Sequence, residues 1–359
     1  MDFDQDDNLP EAGPWEEAQQ SRPAGPPPPP LAPVAPPAHP EPPRKRTGWK
    51  IFWGIILTLS VIANIVLFLM LIGAVAILAV ADKQSLHEEV IQDGPRHSKI
   101  AIISLEGVID DENAREVSRQ LKQAREDRHV KGIILRVNSP GGTISGSDQI
   151  YNEIKNKTEL PAVAFMQGVA ASGGYYASVA CDKIVAEPTV ITGSVGVIGG
   201  YMVLKELLED KLGILPVIVK SGEKKDWPSS FRPPTEEEIQ YLHDKLITPA
   251  YERFVQIVAE GRKASLTLSE IRQLADGSIY GAQEAKDNKL VDAIGYLDDA
   301  IDQAKALAGI KEALVMEYRR PFSFADFLGS SSSKMFEIDE STVYELCTPR
   351  LLYLWTLQK

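Results

Sequence analysis

Residues 131–143, KGIILRVNSPGGT, place a run of aliphatic residues directly before a Pro-Gly-Gly segment. Similar short apolar runs recur along the chain and predict strands at 99–109, 131–137, 162–166, 183–187 and 216–220. The stretches between them have helical patterns and predict helices at 113–127, 145–156 and 172–180. Nearly continuous apolar strands that alternate with helices indicate a largely parallel sheet buried on both faces. The sequence therefore predicts an α/β fold with flanking helices.

The N-terminal part of the chain has a different composition. Residues 23–43 are dominated by Pro and Ala and lack the periodic apolar residues of a core. Residues 51–80 contain no formal charge, and this run exceeds the ~20 residues that span a bilayer core. The predicted segments are a Pro-rich disordered tail with a basic end (1–50), a transmembrane helix (51–80), a linker (81–97), a folded domain (98–320) and a C-terminal tail (321–359).

The charges that flank the apolar run predict its orientation. Arg44, Lys45, Arg46 and Lys50 precede it, whereas acidic residues follow it. The positive-inside rule then places the N-terminus in the cytoplasm and the folded domain outside it, at the cell membrane. The sequence AVA at 79–81 is compatible with signal-peptidase cleavage, but the apolar run is far longer than the core of a signal peptide, which favours an uncleaved anchor.

Composition excludes several function classes. The net charge of −12 with no basic stripe argues against a nucleic-acid partner. Cys181 and Cys347 are too few for a disulfide framework, and the apolar neighbours of Cys181 indicate a buried side chain. No His, Cys, Asp and Glu cluster has metal-ligand spacing, so we expect no metal and no cofactor.

Two glycine-rich segments follow neighbouring predicted strands and therefore fall on one edge of the sheet, where ligands bind in open α/β folds. The first is NSPGGT, 138–143, which is predicted to be a Pro-Gly-Gly turn, and the second is the segment that contains AASGGYY, 170–176. Ser172 in the second segment has two interpretations. It is either a helix N-cap residue or a nucleophile flanked by glycine N–H groups that hold an oxyanion.

A nucleophilic serine needs a base, and the histidines are poorly placed for that role. His243 alone lies beyond the strands, within a predicted helix where a surface role is favoured. A lysine is the other known partner of such a serine. The segment KSGEKKD, 220–226, offers Lys220, Lys224 and Lys225.

The motifs NSPGG, ASGGYY, TGSVGVIGG (192–200) and KSGEKKD occur in the order and spacing of the SppA family of signal peptide peptidases, which this chain resembles over residues 97–320. The resemblance implies a Clp-protease/crotonase-like fold and a Ser-Lys dyad. It matches Ser172 to the nucleophile, Lys225 to the general base, Gly142 and Gly173 to the oxyanion hole, and Ser194 to the residue that orients the lysine.

The resemblance also implies a membrane-anchored endopeptidase that degrades cleaved signal peptides and other apolar, extended peptides. It implies a homo-oligomeric ring in which the serine of one subunit works with the lysine of its neighbour. The alternatives are a stomatin-linked type of membrane protease with the same fold, a crotonase-like acyl-CoA enzyme, and an inactive scaffold. The apolar run 350–355 in the C-terminal tail is interpreted either as a segment docked on a neighbouring subunit or as a self-bound peptide in the active-site groove.

Overall fold

The computed structural model describes residues 47–82, 86–319 and 350–355. The chain divides into two units, residues 1–68 and residues 69–359. The Pro-rich tail, Cys347 and most of the predicted C-terminal tail lie outside the described residues.

Helix α1, Thr47–Asp82, contains most of the apolar run. Its segment Gly48–Ala74 has a mean hydropathy of 2.9, and none of the residues in its most apolar window is buried. A helix of this length and composition suits a membrane-spanning segment and equally a signal sequence. Near its N-terminal end, Trp49, Phe52 and Trp53 form a cluster of stacked and edge-to-face rings.

The strands described in the structure form one eleven-stranded sheet. They are β1 His87–Gln92, β2 Lys99–Ile109, β3 Val130–Thr143, β4 Ala162–Ala171, β5 Lys183–Ala186, β6 Ile191–Gly193, β7 Ile198–Gly200, β8 Ile279–Gly281, β9 Ala293–Ile294, β10 Leu314–Arg319 and β11 Arg350–Leu354. The main order is β1-β10-β2-β3-β4-β5-β9, and every pair from β10 to β9 is parallel. This arrangement confirms the predicted largely parallel α/β sheet.

Helices cover both faces of this sheet, as the apolar strands require. The helices after α1 are α2 Asp111–Glu126, α3 Ile144–Lys157, α4 Gly173–Ser178, α5 Glu236–Leu242, α6 Thr248–Gly261, α7 Leu268–Leu274, α8 Ala282–Asp287 and α9 Leu297–Ala308. Alternate residues of β2 enter two separate cores: Ala101 and Ile103 pack into the larger one with α2, α3, α4 and α6, whereas Ile100 and Ile102 pack into the smaller one against α9. Cys181 is buried in the larger core, as predicted.

The structure differs from the sequence prediction at three points. Residues 138–143 are an extended part of β3 rather than a turn, because they pair with β2 and with β11. The predicted strand at 216–220 is wrong: this segment is irregular, and Val217 and Val219 are 77% and 93% exposed, because no described strand pairs with it. The segment taken as a linker contains β1, which adds to the sheet edge at β10.

Candidate active site

Ser172 lies at the junction between β4 and α4, and its backbone is strained. It has φ 54° and ψ −115°, a combination outside the regions that L-residues favour. Its N–H donates to the Gly193 carbonyl (2.8 Å), and its carbonyl accepts from the Tyr176 N–H (2.8 Å). Although Ser172 occupies the N-cap position, its side chain makes no capping hydrogen bond. A sharp, strained turn from strand to helix is the setting in which other folds present a nucleophilic serine.

Three glycines bring separate backbone segments together beside Ser172. A Cβ atom on Gly173 would clash with Ser147 Oγ and would lie 3.2 Å from the Gly142 nitrogen. A Cβ atom on Gly142 would clash with the backbone of Ile109, and one on Gly141, where φ is +99°, would lie 2.6 Å from the Gly173 nitrogen. The backbones of Gly142 and Gly173, which carry no side chains, therefore lie close together beside Ser172.

Ser194 directly follows β6 and lies near Ser172. This strand pairs with the end of β4, so that Gly193 lies opposite Ala171. Ser194 also has a positive φ, 51°, and its N–H donates to the Ser278 carbonyl at 2.7 Å. Ser172 and Ser194 line one cavity of about 330 Å³. Four of the five predicted site residues, Ser172, Ser194, Gly142 and Gly173, thus gather at the carboxyl ends of β3, β4 and β6.

The fifth predicted site residue, Lys225, is not among the residues that line this cavity. It lies exposed in a 3₁₀ turn, Glu223–Asp226. The two alternative lysines are engaged within the same region. Lys220 Nζ donates to Asp226 Oδ1 at 2.8 Å, and Lys224 Nζ lies 4.8 Å from the ring centre of Trp227.

A charged network holds the turn that carries Lys225. Arg232 donates two hydrogen bonds of 2.6 Å to the carboxylate of Glu238, and it lies 3.6 Å from Asp226. The Glu238 side chain is buried and also accepts the Thr235 N–H. These hydrogen bonds, that of Arg232 first, lower the pKa of Glu238 to about 2. The pKa of Asp226 is likewise lowered, chiefly by its hydrogen bond from Lys220.

His243 lies on a helical surface, as predicted. Its ring is exposed, and Nδ1 is within 3.3 Å of Asp244 Oδ1 and within 3.4 Å of Thr248 Oγ1. It does not line the cavity beside Ser172. Among the residues that the structure describes, no group of three or more His, Cys, Asp or Glu is arranged to hold a metal ion.

Strand β11, which the sequence did not predict, lies in the groove beside Ser172. It pairs antiparallel with β3 on one side and with β7 on the other. A Cβ atom on Gly141 would clash with the Tyr353 carbonyl oxygen and would lie 2.6 Å from the Gly173 nitrogen. The Tyr353 carbonyl and the Gly173 nitrogen therefore both lie next to Gly141. Leu354 lines the cavity that holds Ser172.

The side chain of Tyr353 fixes β11 in this position. It is fully buried, and its ring packs against Tyr176 and Phe254 with centroid separations of 5.1 and 4.7 Å. Its hydroxyl donates to the Ala250 carbonyl at 2.7 Å. Trp355 N–H donates to the Pro140 carbonyl at 2.9 Å. Of the two sequence interpretations of this apolar run, the structure supports the self-bound peptide.

Two sequence-family models match parts of this chain. The sequence model of peptidase family S49 matches residues 154–311, and that of the NfeD1b N-terminal domain matches residues 99–202. A signal peptide peptidase SppA candidate of Enterococcus faecium is 40% identical over 245 residues, which are 65% of this chain and 70% of that protein.

Two further relatives are longer than this chain. Protease 4 of Haemophilus influenzae is 34% identical over 224 residues, which are 60% of this chain and 36% of that protein. The chloroplastic serine protease SPPA of Arabidopsis thaliana is 33% identical over 233 residues, which are 64% of this chain and 34% of that protein. The match therefore spans about a third of these two relatives. A strained serine on an α/β sheet edge and these similarities define a serine protease, and the chain belongs to peptidase family S49.

Proposed function

We propose that this chain is a Ser-Lys endopeptidase that cleaves apolar, extended peptides bound as an added strand between β3 and β7. One observation carries the proposal: the chain's own strand β11 occupies that groove with the Tyr353 carbonyl next to Gly141 and the Gly173 nitrogen, beside Ser172. Strand addition recognises the main chain of a peptide and admits many sequences. Folded proteins lack a free extended segment and are excluded.

In the proposed reaction, Ser172 Oγ attacks the peptide carbonyl carbon while its proton passes to the neutral amine of Lys225. The Gly142 and Gly173 N–H groups stabilise the oxyanion that forms on the carbonyl oxygen. The lysine then gives its proton to the leaving amine, and the C–N bond breaks to leave an ester on Ser172. Water, deprotonated by the same lysine, hydrolyses this ester and regenerates the serine. Ser194 orients the lysine.

The lysine comes from a neighbouring subunit in this proposal. Lys225 does not line the Ser172 cavity of its own chain, which supports a lysine supplied by a second subunit. The segment that leads to Lys225 is strongly apolar yet exposed, with Leu215, Val217 and Val219 among its most exposed residues. Exposed apolar surface of this kind marks a protein contact. A homo-oligomeric ring would cover this segment and bring each Lys225 to the next Ser172.

The proposed place of action is the outer face of the cell membrane. The rings of Trp49, Phe52 and Trp53 cluster next to Lys50 at one end of the apolar helix, as aromatic and basic residues do at a membrane interface. This supports an anchor whose N-terminal side faces the cytoplasm. Cleaved signal peptides, which are apolar and lie in the membrane, are then the proposed substrates. The name of the Enterococcus faecium relative, which includes signal peptide peptidase, supports this assignment.

A second candidate is a membrane protease of the same fold with a different target, such as the stomatin-linked type. The match of residues 99–202 to the NfeD1b N-terminal domain favours it. Both candidates use the same chemistry and differ in substrate. A comparison of hydrolysis rates for a signal peptide and for an apolar peptide taken from a folded membrane protein distinguishes them.

The test of the dyad uses the full chain in detergent and a fluorogenic apolar peptide. Ser172→Ala and Lys225→Ala should each reduce kcat by at least ~10³-fold, because members of a catalytic unit fail together. Lys220→Ala, Lys224→Ala and His243→Ala are the matched controls and should keep most of the activity. Full activity in Lys225→Ala together with loss in Lys224→Ala or Lys220→Ala would move the base to that lysine.

The shared dyad has its own test. Inactive Ser172→Ala and Lys225→Ala proteins, dissociated and reassembled together, should regain part of the activity, because some interfaces pair an intact serine with an intact lysine. Absence of recovery in verified mixed oligomers would show that each chain completes its own site.

A further inference from the structure

The cavity beside Ser172 contains a charged residue that the proposed reaction does not use. Its wall combines polar and apolar surface, and the apolar part includes Val197, Ile198 and Ala275. Among the described residues that line it, Asp276 is the one with a charged side chain. A cavity with several apolar side chains and one carboxylate matches a side chain with an aliphatic stem and a cationic end.

The loop that carries Asp276 is fixed to the active-site strands. It connects α7 to β8, and its Gly277 N–H donates to the Val195 carbonyl at 3.2 Å. The Ser278 carbonyl accepts the Ser194 N–H at 2.7 Å. Asp276 Oδ1 accepts the Ser278 N–H at 2.9 Å. These contacts hold the carboxylate in place next to the cavity.

Asp276 is ionised at neutral pH. Hydrogen bonds from the side chain and backbone of Ser278 lower the pKa of its carboxyl group. The carboxylate remains exposed to solvent, so a cation can approach it from the cavity.

Strand β11 shows which position of a bound peptide meets this cavity. Leu354 lines it, and Leu354 directly follows the Tyr353 carbonyl that borders the Gly173 nitrogen. Leu354 offers only an aliphatic side chain. A lysine or arginine at the same position has an aliphatic stem that can contact the apolar side chains of the wall and a charged group that extends farther.

We propose that Asp276 is a specificity determinant that selects peptides with Lys or Arg at the position directly after the carbonyl held by Gly142 and Gly173. This inference rests on the proposed function, because it takes the groove of β11 as the substrate groove. It also makes the C-terminal strand a poor ligand of its own site, since Leu354 leaves Asp276 without a cation. A basic peptide then displaces β11 more readily than an apolar one does.

The test measures binding of labelled peptides to the full-length Ser172→Ala protein by fluorescence anisotropy. The peptides have the sequence of residues 350–358, with Lys, norleucine or Glu in place of Leu354. Norleucine has the stem of lysine without its charge. We expect the Kd of the Lys peptide to be about fivefold lower than that of the norleucine peptide, as for an exposed ion pair, and the Glu peptide to bind more weakly than either.

The preference should disappear when Asp276→Asn is added and should persist when Asp302→Asn is added, since the highly exposed Asp302 of α9 does not line the cavity. Thermal unfolding of each variant checks that it is folded. Equal binding of the Lys and norleucine peptides, or a preference that survives Asp276→Asn, would overturn the inference. Failure of all three peptides to bind would overturn it as well.

The same peptides separate this inference from the proposed function. If the wild-type protein cleaves the Lys and norleucine peptides at equal kcat/KM, the proposed protease stands and the subsite is wrong. If the Ser172→Ala protein prefers the Lys peptide but the wild-type protein cleaves neither, the subsite stands and the proposed reaction is wrong.

Discussion

Tyr353 and Gly142 lie opposite one another in the antiparallel pair formed by β11 and β3. Gly142 is a proposed oxyanion donor, so in the proposed reaction the C-terminal strand occupies the position of a substrate. Any peptide that enters this groove competes with β11, whose docking depends on the buried ring of Tyr353.

Removal of that ring should open the groove. Tyr353→Ala deletes the contacts with Tyr176 and Phe254, and burial of a large aromatic side chain is worth ~3–5 kcal/mol. We expect kcat/KM for an added apolar peptide to rise several-fold because β11 competes less well. Tyr296→Ala, at an exposed tyrosine, is the control. A fall in kcat/KM with an unchanged Tm would show that β11 helps to build the site rather than block it.

The strained backbone of Ser172 predicts a stability cost at the active site. A non-glycine residue at an unfavourable positive φ costs ~1–3 kcal/mol, and glycine avoids most of that cost. Ser172→Gly should therefore abolish hydrolysis and raise the free energy of unfolding by about 1 kcal/mol, the low end of this range. Ser172→Ala should abolish hydrolysis without this gain. Urea unfolding of the wild type and both variants measures these free energies. Equal stability of the Gly and Ala variants would show that the backbone conformation of Ser172 has no such cost.

The Arg232–Glu238 pair predicts an acid-sensitive contribution to stability. The pKa of Glu238 is about 2 in the folded protein, below its ordinary value, so the folded state favours the ionised carboxylate. This contribution is fully present above about pH 4.5, the ordinary range of a glutamate, and is lost as the pH falls toward 2.

Glu238→Gln should remove this contribution. We expect it to lower the free energy of unfolding at pH 7 by ~2 kcal/mol, the size of hydrogen bonds to a charged group, and to flatten the dependence between pH 4.5 and 2. Urea unfolding as a function of pH measures both effects. Glu237→Gln, at the exposed neighbouring residue, is the control. If the free energy of unfolding had the same pH dependence in the wild type and in Glu238→Gln, the ionised Glu238 carboxylate would not be the source of the acid-sensitive stability.

The sequence predicted the sheet well because its strands are buried on both faces. Such strands appear as continuous apolar runs, and the bounds predicted for β2, 99–109, are those observed. The order of strands along the chain then placed Gly142 and Ser172 at the same sheet edge without any knowledge of side-chain contacts. Their close approach in the structure agrees with that placement.

The remaining features depend on partners far away in the chain or outside it. Residues 138–143 look like a turn because of their Pro and Gly content, yet pairing with β11, some two hundred residues later, extends them. Residues 350–354 carry too short an apolar run to identify a strand. Residues 216–220 have the composition of a strand but find no partner among the described residues, as expected if a neighbouring subunit supplies the contact.

The most direct test of the account is covalent labelling of the full-length protein in detergent with a fluorophosphonate, followed by mass spectrometry of its peptides. An activated serine forms a phosphonyl ester, whereas an ordinary serine does not. The account predicts one adduct, on Ser172, which is lost in Ser172→Ala and strongly reduced in Lys225→Ala. Labelling of another serine with Ser172 unmodified, or undiminished labelling of Ser172 in Lys225→Ala, would contradict it.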